Sequence, residues 1–508
     1  INDAAKDFDN PELDARLFLI FLLLIALYFL SRRYITHKIS NLVQTSIYQY
    51  RRRVLSRVRE LKLLAFEDIG KAQILSVLSE KTELISHGAH KLAEGFPVTI
   101  LLIFSFVYIA TISKMAFVLV FICMLCSMVS VQIMLKSLHK SLQQALTKEG
   151  EYLEYMQHVI NGFNELKMNR TKSDDLCVNY MDPLSEDTLQ QNLAADITIV
   201  NVQLYAQNYF YILMAAIVFL LPQITQINGD EIMSVTTSVL YIIGPLVIVL
   251  DMIPSVARAN VAVDFLRELE NKLIAAQEVT EPAREAFSAP NYFDQLMLSK
   301  VVFHYPDTEQ SRGFSVGPFD LNIKRGELIF IRGGNGSGKS TFLKLLTGLY
   351  EPDTGSIRVD GHSIDNRLLT NYRQLFAIIF TDFHLFDRLY GLQDVDSGKV
   401  NEYLELMGLE HKTGYKAGQF INTNLSTGQK KRLALIISLL EDKAIYVFDE
   451  VAADQDPEFR LFFYEVILQK LKQQGKTLIV VTHDEKYFKH CDRLFVMDSG
   501  RLVEEVLH

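Results

Sequence analysis

A chain of 508 residues that is 49% hydrophobic and 22% charged, with a mean hydropathy of +0.13, has ample apolar surface for a core and is not a disordered chain. Its formal net charge of −9 excludes a nucleic-acid binder that works by gross positive charge. Four cysteines in this length cannot build a disulfide framework, so packing or a membrane has to hold the chain together. The averages conceal a division. Residues 1–296 hold 25 Lys and Arg with 31 Asp and Glu, whereas the shorter stretch 297–508 holds 26 and 29. The first part must therefore contain long uncharged runs.

The first of these, Leu17 to Leu30, is only 14 residues, but Arg16 and Arg32-Arg33 can snorkel and Leu13, Ala15, Tyr34 and Ile35 extend it, so it predicts a membrane span. Phe96 to Leu135 has one charge, Lys114, over 40 residues: too long for one crossing and right for two, with a hairpin at Thr111-Ile112-Ser113-Lys114. Cys123 and Cys126 fall inside this run and read as small apolar residues on a helix rather than a redox or metal site; Cys177 and Cys491 stand alone. Two further spans follow, Ile197 to Leu221 and Ile232 to Leu250. Pro222 and Asn228-Gly229-Asp230-Glu231 mark the turn between them.

Basic residues orient these five spans. Segment 31–95 carries 12 Lys and Arg, the 111–115 hairpin one and the 222–231 hairpin none, which places 31–95 in the cytoplasm. Residues 1–12, with Asp3, Asp7, Asp9 and Glu12, then lie outside, and 136–196 and everything after 251 lie inside. An outside start without a signal peptide, at Ile1, predicts a preceding span and six spans in the intact protein. The cytoplasmic stretches 31–95 and 136–196 read as helices continuing below the membrane, each with a connecting helix placed to touch a soluble domain, near Ala65 to Ser79 and Asn164 to Asp175. Within the spans, Asn201, Gln203, Gln207 and Asn208 are the polar candidates for a substrate cavity; Gln203 and Gln207 share a face, and interhelical hydrogen bonding is the equal alternative. Asp251 marks the cytoplasmic end of its span, and Gly244-Pro245 and Pro254 could let that helix bend.

The domain plan is a membrane domain over 1–275, a polar linker over 276–296 and a soluble α/β domain over 297–508. In the last, an apolar strand, Leu328 to Ile331, runs into Gly333-Gly334-Asn335-Gly336-Ser337-Gly338-Lys339-Ser340-Thr341 and then a helix beginning Phe342-Leu343. This matches G-x-x-x-x-G-K-[ST] in the order the chemistry requires. Glycines turn backbone N–H groups toward phosphates, the helix N-terminus adds positive potential, Lys339 reaches the β/γ-phosphates, and the Ser340 hydroxyl ligates Mg²⁺. A second strand, Ala444 to Phe448, ends in Asp449-Glu450, a metal ligand and a base for the attacking water; a third, Thr477 to Val481, ends in Thr482-His483, a contact for the γ-phosphate.

The phosphate loop, Leu425-Ser426-Thr427-Gly428-Gln429, Asp449-Glu450 and His483, in this order behind a membrane domain, resemble an ABC transporter along the whole chain. The resemblance implies an all-α, domain-swapped exporter-type transmembrane domain joined to an α/β P-loop ATPase, binding ATP and Mg²⁺. It implies that Ser426, Thr427, Gly428 and Gln429 contact ATP held by the other subunit, that Tyr305 stacks on adenine, and that Asp456 keeps its place in the loop after Glu450. A half-transporter of this kind works as a dimer; intact Glu450 and signature make a homodimer the economical reading, in the bacterial cytoplasmic membrane among its lipids. Two departures sharpen the likeness. Thr381-Asp382 stands where the family has a Mg²⁺- and water-coordinating Gln, leaving open whether Thr381 ligates Mg²⁺ or shapes the loop, and Ala453-Asp454-Gln455-Asp456 replaces S-A-L-D. Both resemble the subgroup that exports cyclic peptides and peptide siderophores, the syringomycin and pyoverdine exporter type. The competing expectations are a lipid or lipopeptide flippase, a siderophore importer on the same scaffold, and an ATP-gated regulator that moves no solute.

Overall fold

The computed structural model describes residues 11–225, 229–278, 292–306, 313–392 and 394–505, so Asp3, Asp7, Asp9, Asn228 and most of the expected linker lie outside the described residues. The chain forms two compact units, one of residues 1–61 and 65–276, the other of 62–64 and 277–508.

The first unit is helical: α1 (Pro11–Val58), α2 (Leu63–Ile69), α3 (Lys71–Ser76), α4 (Thr82–Ile112), α5 (Lys114–Asn161), α6 (Phe163–Met168), α7 (Arg170–Asp175), α8 (Asp182–Ala215), α9 (Leu221–Ile224) and α10 (Gly229–Ala275). Five stretches are long and apolar enough to cross a membrane. The α4–α5 hairpin turns at Ser113, whose extended backbone and side-chain bond from the Ala116 N–H cap α5. Short helices stand at 63–76 and 163–175, where connecting helices are expected. The turn expected from Pro222 is narrower than its composition suggests. A π-turn at Ala216–Leu220 carries the chain into α9 with Pro222 near its start, where a missing N–H costs nothing. Likewise α10 runs unbroken through Pro245 and Pro254 to Ala275.

Helices α4 and α10 approach closely because α4 offers glycine at the crossing. A Cβ on Gly88 would fall 2.4 Å from the Ala259 Cβ and 2.9 Å from the Ser255 carbonyl O, and one on Gly95 would fall 2.4 Å from the Met252 Sδ. Between α8 and α10 two polar rungs recur seven residues apart on each helix: Gln203 Nε2 donates to Asp251 Oδ1 at 2.9 Å, and Arg258 Nη2 to Asp196 Oδ1 at 2.9 Å. Cys123 is half-buried in the apolar core of the membrane helices, as its surroundings suggest.

The second unit is α/β. In chain order it holds β1 (Gln295–His304), β2 (Ser315–Lys324), β3 (Leu328–Arg332), α11 (Lys339–Leu346), β4 (Thr354–Val359), β5 (His362–Ser363), α12 (Leu369–Arg373), β6 (Phe376–Ile379), α13 (Ser397–Leu406), β7 (Tyr415–Lys416), β8 (Gln419–Phe420), α14 (Thr427–Glu441), β9 (Ile445–Asp449), α15 (Pro457–Phe462), α16 (Leu468–Gln473), β10 (Thr477–Val481), β11 (Arg493–Asp498) and β12 (Arg501–Glu505). An antiparallel sheet of order β2-β1-β4-β5 packs against a six-stranded sheet of order β12-β11-β3-β10-β9-β6, parallel except for β12. Strands β9 and β10 are buried at every residue, which is why they read as continuous apolar runs rather than alternating ones.

The two α4 glycines yield a discriminating prediction. Gly88→Ala drives a methyl against backbone and lowers stability by about 1–3 kcal/mol, read as a fall in melting temperature of the detergent-solubilised protein. Gly95→Ala meets the flexible thioether of Met252 and shifts it less; equal shifts would contradict this account of the crossing.

Candidate functional site

The strand order assembles the site. Loops leaving the carboxyl ends of β3, β10 and β9 lie side by side, because β10 pairs with both neighbours: Val481 is opposite Ile331 on one side and Asp449 on the other. These three ends carry the phosphate loop, His483 and the Asp449-Glu450 pair.

The loop from Gly333 to Thr341 has the shape of an anion cradle. Gly336 and Gly338 take φ of +75° and +106°, open only to glycine without strain, and a Cβ on Gly333 would lie 2.3 Å from the Met497 carbonyl O. Asn335, Gly334 and Gly336 are exposed at the tip. Lys339 is buried, its Nζ donating to the carbonyl oxygens of Gly333 and Gly334 at 2.7 and 3.1 Å. Ser337 Oγ is buried without a hydrogen-bond partner among the described residues, an orphan that an incoming phosphate oxygen would satisfy. Thr341 is buried with its hydroxyl 3.0 Å from the Tyr305 hydroxyl, so Tyr305 is braced from the loop's helix while packing against Phe303, Tyr350 and Phe314.

At the end of β9, Asp449 is 2% exposed and its Oδ2 accepts from Ser340 Oγ at 3.3 Å. Burial pushes the Asp449 carboxyl above the usual carboxylate range, and hydrogen bonds from the Thr381 side chain and the Ser340 hydroxyl pull it back. Thr381 reaches Asp449 because β6 is the parallel neighbour of β9, with Ile379 opposite Phe448. A hydroxyl and a carboxylate converging here form an oxygen donor pair that suits Mg²⁺. Asp382, beside Thr381, is exposed.

Glu450 is half-buried with φ +54°, a left-handed conformation that a non-glycine residue takes only when its surroundings hold it there. Its Oε1 lies 3.8 Å from Lys339 Nζ and 3.4 Å from His483 Nε2. The carboxylate is thus aimed into the space between phosphate loop and histidine, where a water attacking phosphorus would need a base.

Leu425-Ser426-Thr427-Gly428-Gln429 opens α14. Ser426 Oγ accepts from the Gln429 N–H and Gln429 Oε1 from the Ser426 N–H, a capping box that sets the helix N-terminus. Asp456 caps α15 through the Phe459 N–H and pairs with Arg432; these hold its carboxyl below the usual range, the N–H first. In the first unit Asn201 and Gln203 are half-buried, Gln207 and Asn208 exposed, and Gln203 is engaged with Asp251. Sequence reasoning passed over Lys431, the bond between Gln203 and Asp251, and the contact of Thr381 with Asp449.

Comparison with known proteins agrees with this geometry. Residues 316–453 match the ABC transporter family model. The chain is 34% identical over 365 residues to the ATP-binding protein SyrD of Pseudomonas syringae pv. syringae, covering 70% of this chain and 64% of that protein. It therefore spans just under two thirds of that relative's length. An ATP-dependent lipid A-core flippase of Xylella fastidiosa is 32% identical over 36% of this chain and 33% of its own. In fold, a bacterial Atm1-family ABC exporter solved with ATP bound superposes with a TM-score of 0.78 at 18% identity, over 99% of this chain and 89% of the other. Five helices of the first unit are, by length and composition, long and apolar enough to cross a membrane.

Replacing Lys339 by Met should raise the dissociation constant for ATP at least about tenfold, measured by nucleotide titration of the full chain. Tyr305→Leu should weaken it by a smaller factor. Undiminished affinity in Lys339→Met would remove the loop from nucleotide binding.

Proposed function

We propose that the chain, similar to ABC transporters over residues 316–453, is one half of an ATP-driven exporter, working as a homodimer that moves a cyclic peptide, lipopeptide or peptide siderophore across the cytoplasmic membrane. The observation that carries this reading is Glu450, held in a left-handed conformation with its carboxylate facing both Lys339 and His483. A chain that only bound nucleotide would have no need of a base so placed.

The residues divide the work. Backbone N–H groups of Gly333 to Thr341 and the α11 N-terminus receive the phosphates, and Lys339 exchanges its two carbonyl partners for phosphate oxygens. Ser340 and Asp449 would hold Mg²⁺, which supplies charge neutralisation between the phosphates. Glu450 takes the proton of the attacking water, with His483 fixing the carboxylate from one side and reaching the γ-phosphate. Ser426 to Gln429, preorganised by their capping box, present a helix N-terminus to the γ-phosphate of ATP on a second copy. Each chain carries both kinds of surface, so two copies complete two sites. ATP favours the closed pair by binding it more tightly than the open one, and hydrolysis removes that bias.

For the cargo, the 34% identity to SyrD over most of this chain supports the peptide-exporting subgroup, together with Thr381-Asp382 and the Ala453 to Asp456 segment. The flippase match supports lipid as the second reading, over about a third of either chain. Glu450→Gln should keep ATP binding while lowering turnover by at least about 100-fold, measured as phosphate release from the purified protein, and should accumulate a cross-linkable dimer in ATP. Near-normal turnover, or monomer alone after cross-linking in ATP, would refute this reading.

A further inference from the structure

Lys431 stands two residues beyond the signature, on α14, and is 3% exposed. A buried ammonium needs partners, and both of its partners lie on the segment after β9: its Nζ donates to the Glu450 carbonyl O at 2.8 Å and pairs with Asp454 Oδ2 at 2.6 Å. The neighbouring Gln455, 6% exposed, extends the tie: its Nε2 donates to the Gly428 carbonyl O at 2.9 Å and its Oε1 accepts from Arg432 Nε at 2.9 Å. Gly428 permits this approach, since a Cβ there would lie 2.7 Å from the Asp454 carbonyl O. Asp454 and Gln455 occupy the places of Ala and Leu in the S-A-L-D pattern, and neither of those could make these bonds.

The residue so gripped is the strained one. Glu450 has its N–H bonded to the Val481 carbonyl O at 3.1 Å, and its carbonyl receives the Lys431 ammonium and the Ala453 N–H at 3.2 Å. The direction of that carbonyl follows from the left-handed conformation that aims the carboxylate at Lys339 and His483, and a charge-assisted donor is the strongest group available to hold it. We propose that Lys431, with Asp454 as its counter-charge, is a positioning residue for ATP hydrolysis: it fixes the Glu450 backbone and ties it to the signature helix, so that engagement of the signature by one ATP sets the base that acts on the other. This rests on the exporter reading above, in which signature and base serve different ATP molecules.

The test is steady-state ATPase kinetics and nucleotide binding of the full-length protein with Lys431→Met, Lys431→Arg and Asp454→Asn. Lys431→Met should lower kcat about tenfold or more while KM and ATP affinity stay within about threefold, because the ammonium touches no nucleotide. Lys431→Arg, which keeps a charged donor, should recover much of kcat. Asp454→Asn, whose side chain is 51% exposed and can be solvated, should lower kcat by about threefold and add little to Lys431→Met. Wild-type kcat in Lys431→Met, or loss of kcat and ATP affinity together without rescue by Lys431→Arg, would overturn the proposal. Should Lys431→Met not fold, Asp454→Asn decides: unchanged kcat overturns the proposal and a selective fall in kcat supports it. A wild-type protein without ATPase activity would overturn the exporter reading and this proposal with it.

Discussion

Strand β10, hydrogen-bonded in parallel to β3 on one side and β9 on the other, fixes the distances on which the nucleotide site depends. Neighbouring strands lie about 4.8 Å apart, so three loops leaving adjacent carboxyl ends must open into one small volume. The lysine of the first, the carboxylates of the second and the histidine of the third therefore meet without any long-range adjustment. Burial of every residue in β9 and β10 makes this register rigid, and the same burial raises the Asp449 carboxyl and sharpens its demand for a partner. Thr381 meets part of that demand from β6, the next parallel strand outward.

The membrane unit obeys a different constraint. With lipid outside and apolar side chains inside, burial alone does not choose between helix pairings, so close backbone approach and polar pairs have to. Gly88 and Gly95 supply the approach between α4 and α10. The rungs Gln203–Asp251 and Asp196–Arg258, each two helical turns apart, fix the register of α8 against α10. Asp251 is therefore a structural partner in the bundle.

How much of this could be read in advance follows from which interactions are local. The spans announced themselves by length without charge, the Ser113 hairpin by a polar break, and the phosphate loop by its glycines between strand and helix. The extent of α9 and α10 was less visible, because Pro222, Pro245 and Pro254 argue against a helix that neighbouring contacts nonetheless sustain. Least visible were bonds between residues distant along the chain. Thr381 reaches Asp449 only through strand order, and the bond from Gln203 to Asp251 joins residues 48 positions apart. Lys431 passes for a surface lysine until Asp454 and the Glu450 carbonyl are placed against it.

In the proposed cycle, hydrolysis at Glu450 drives a solute through the membrane unit. Uptake of a panel of cyclic peptides and peptide siderophores into inside-out vesicles, with and without ATP, tests it most directly. The account predicts ATP-dependent accumulation of at least one such compound by the wild-type chain and none by vesicles carrying Glu450→Gln. Accumulation that continues unchanged in the Glu450→Gln vesicles, or an active ATPase that moves lipid analogues and no peptide, would contradict it.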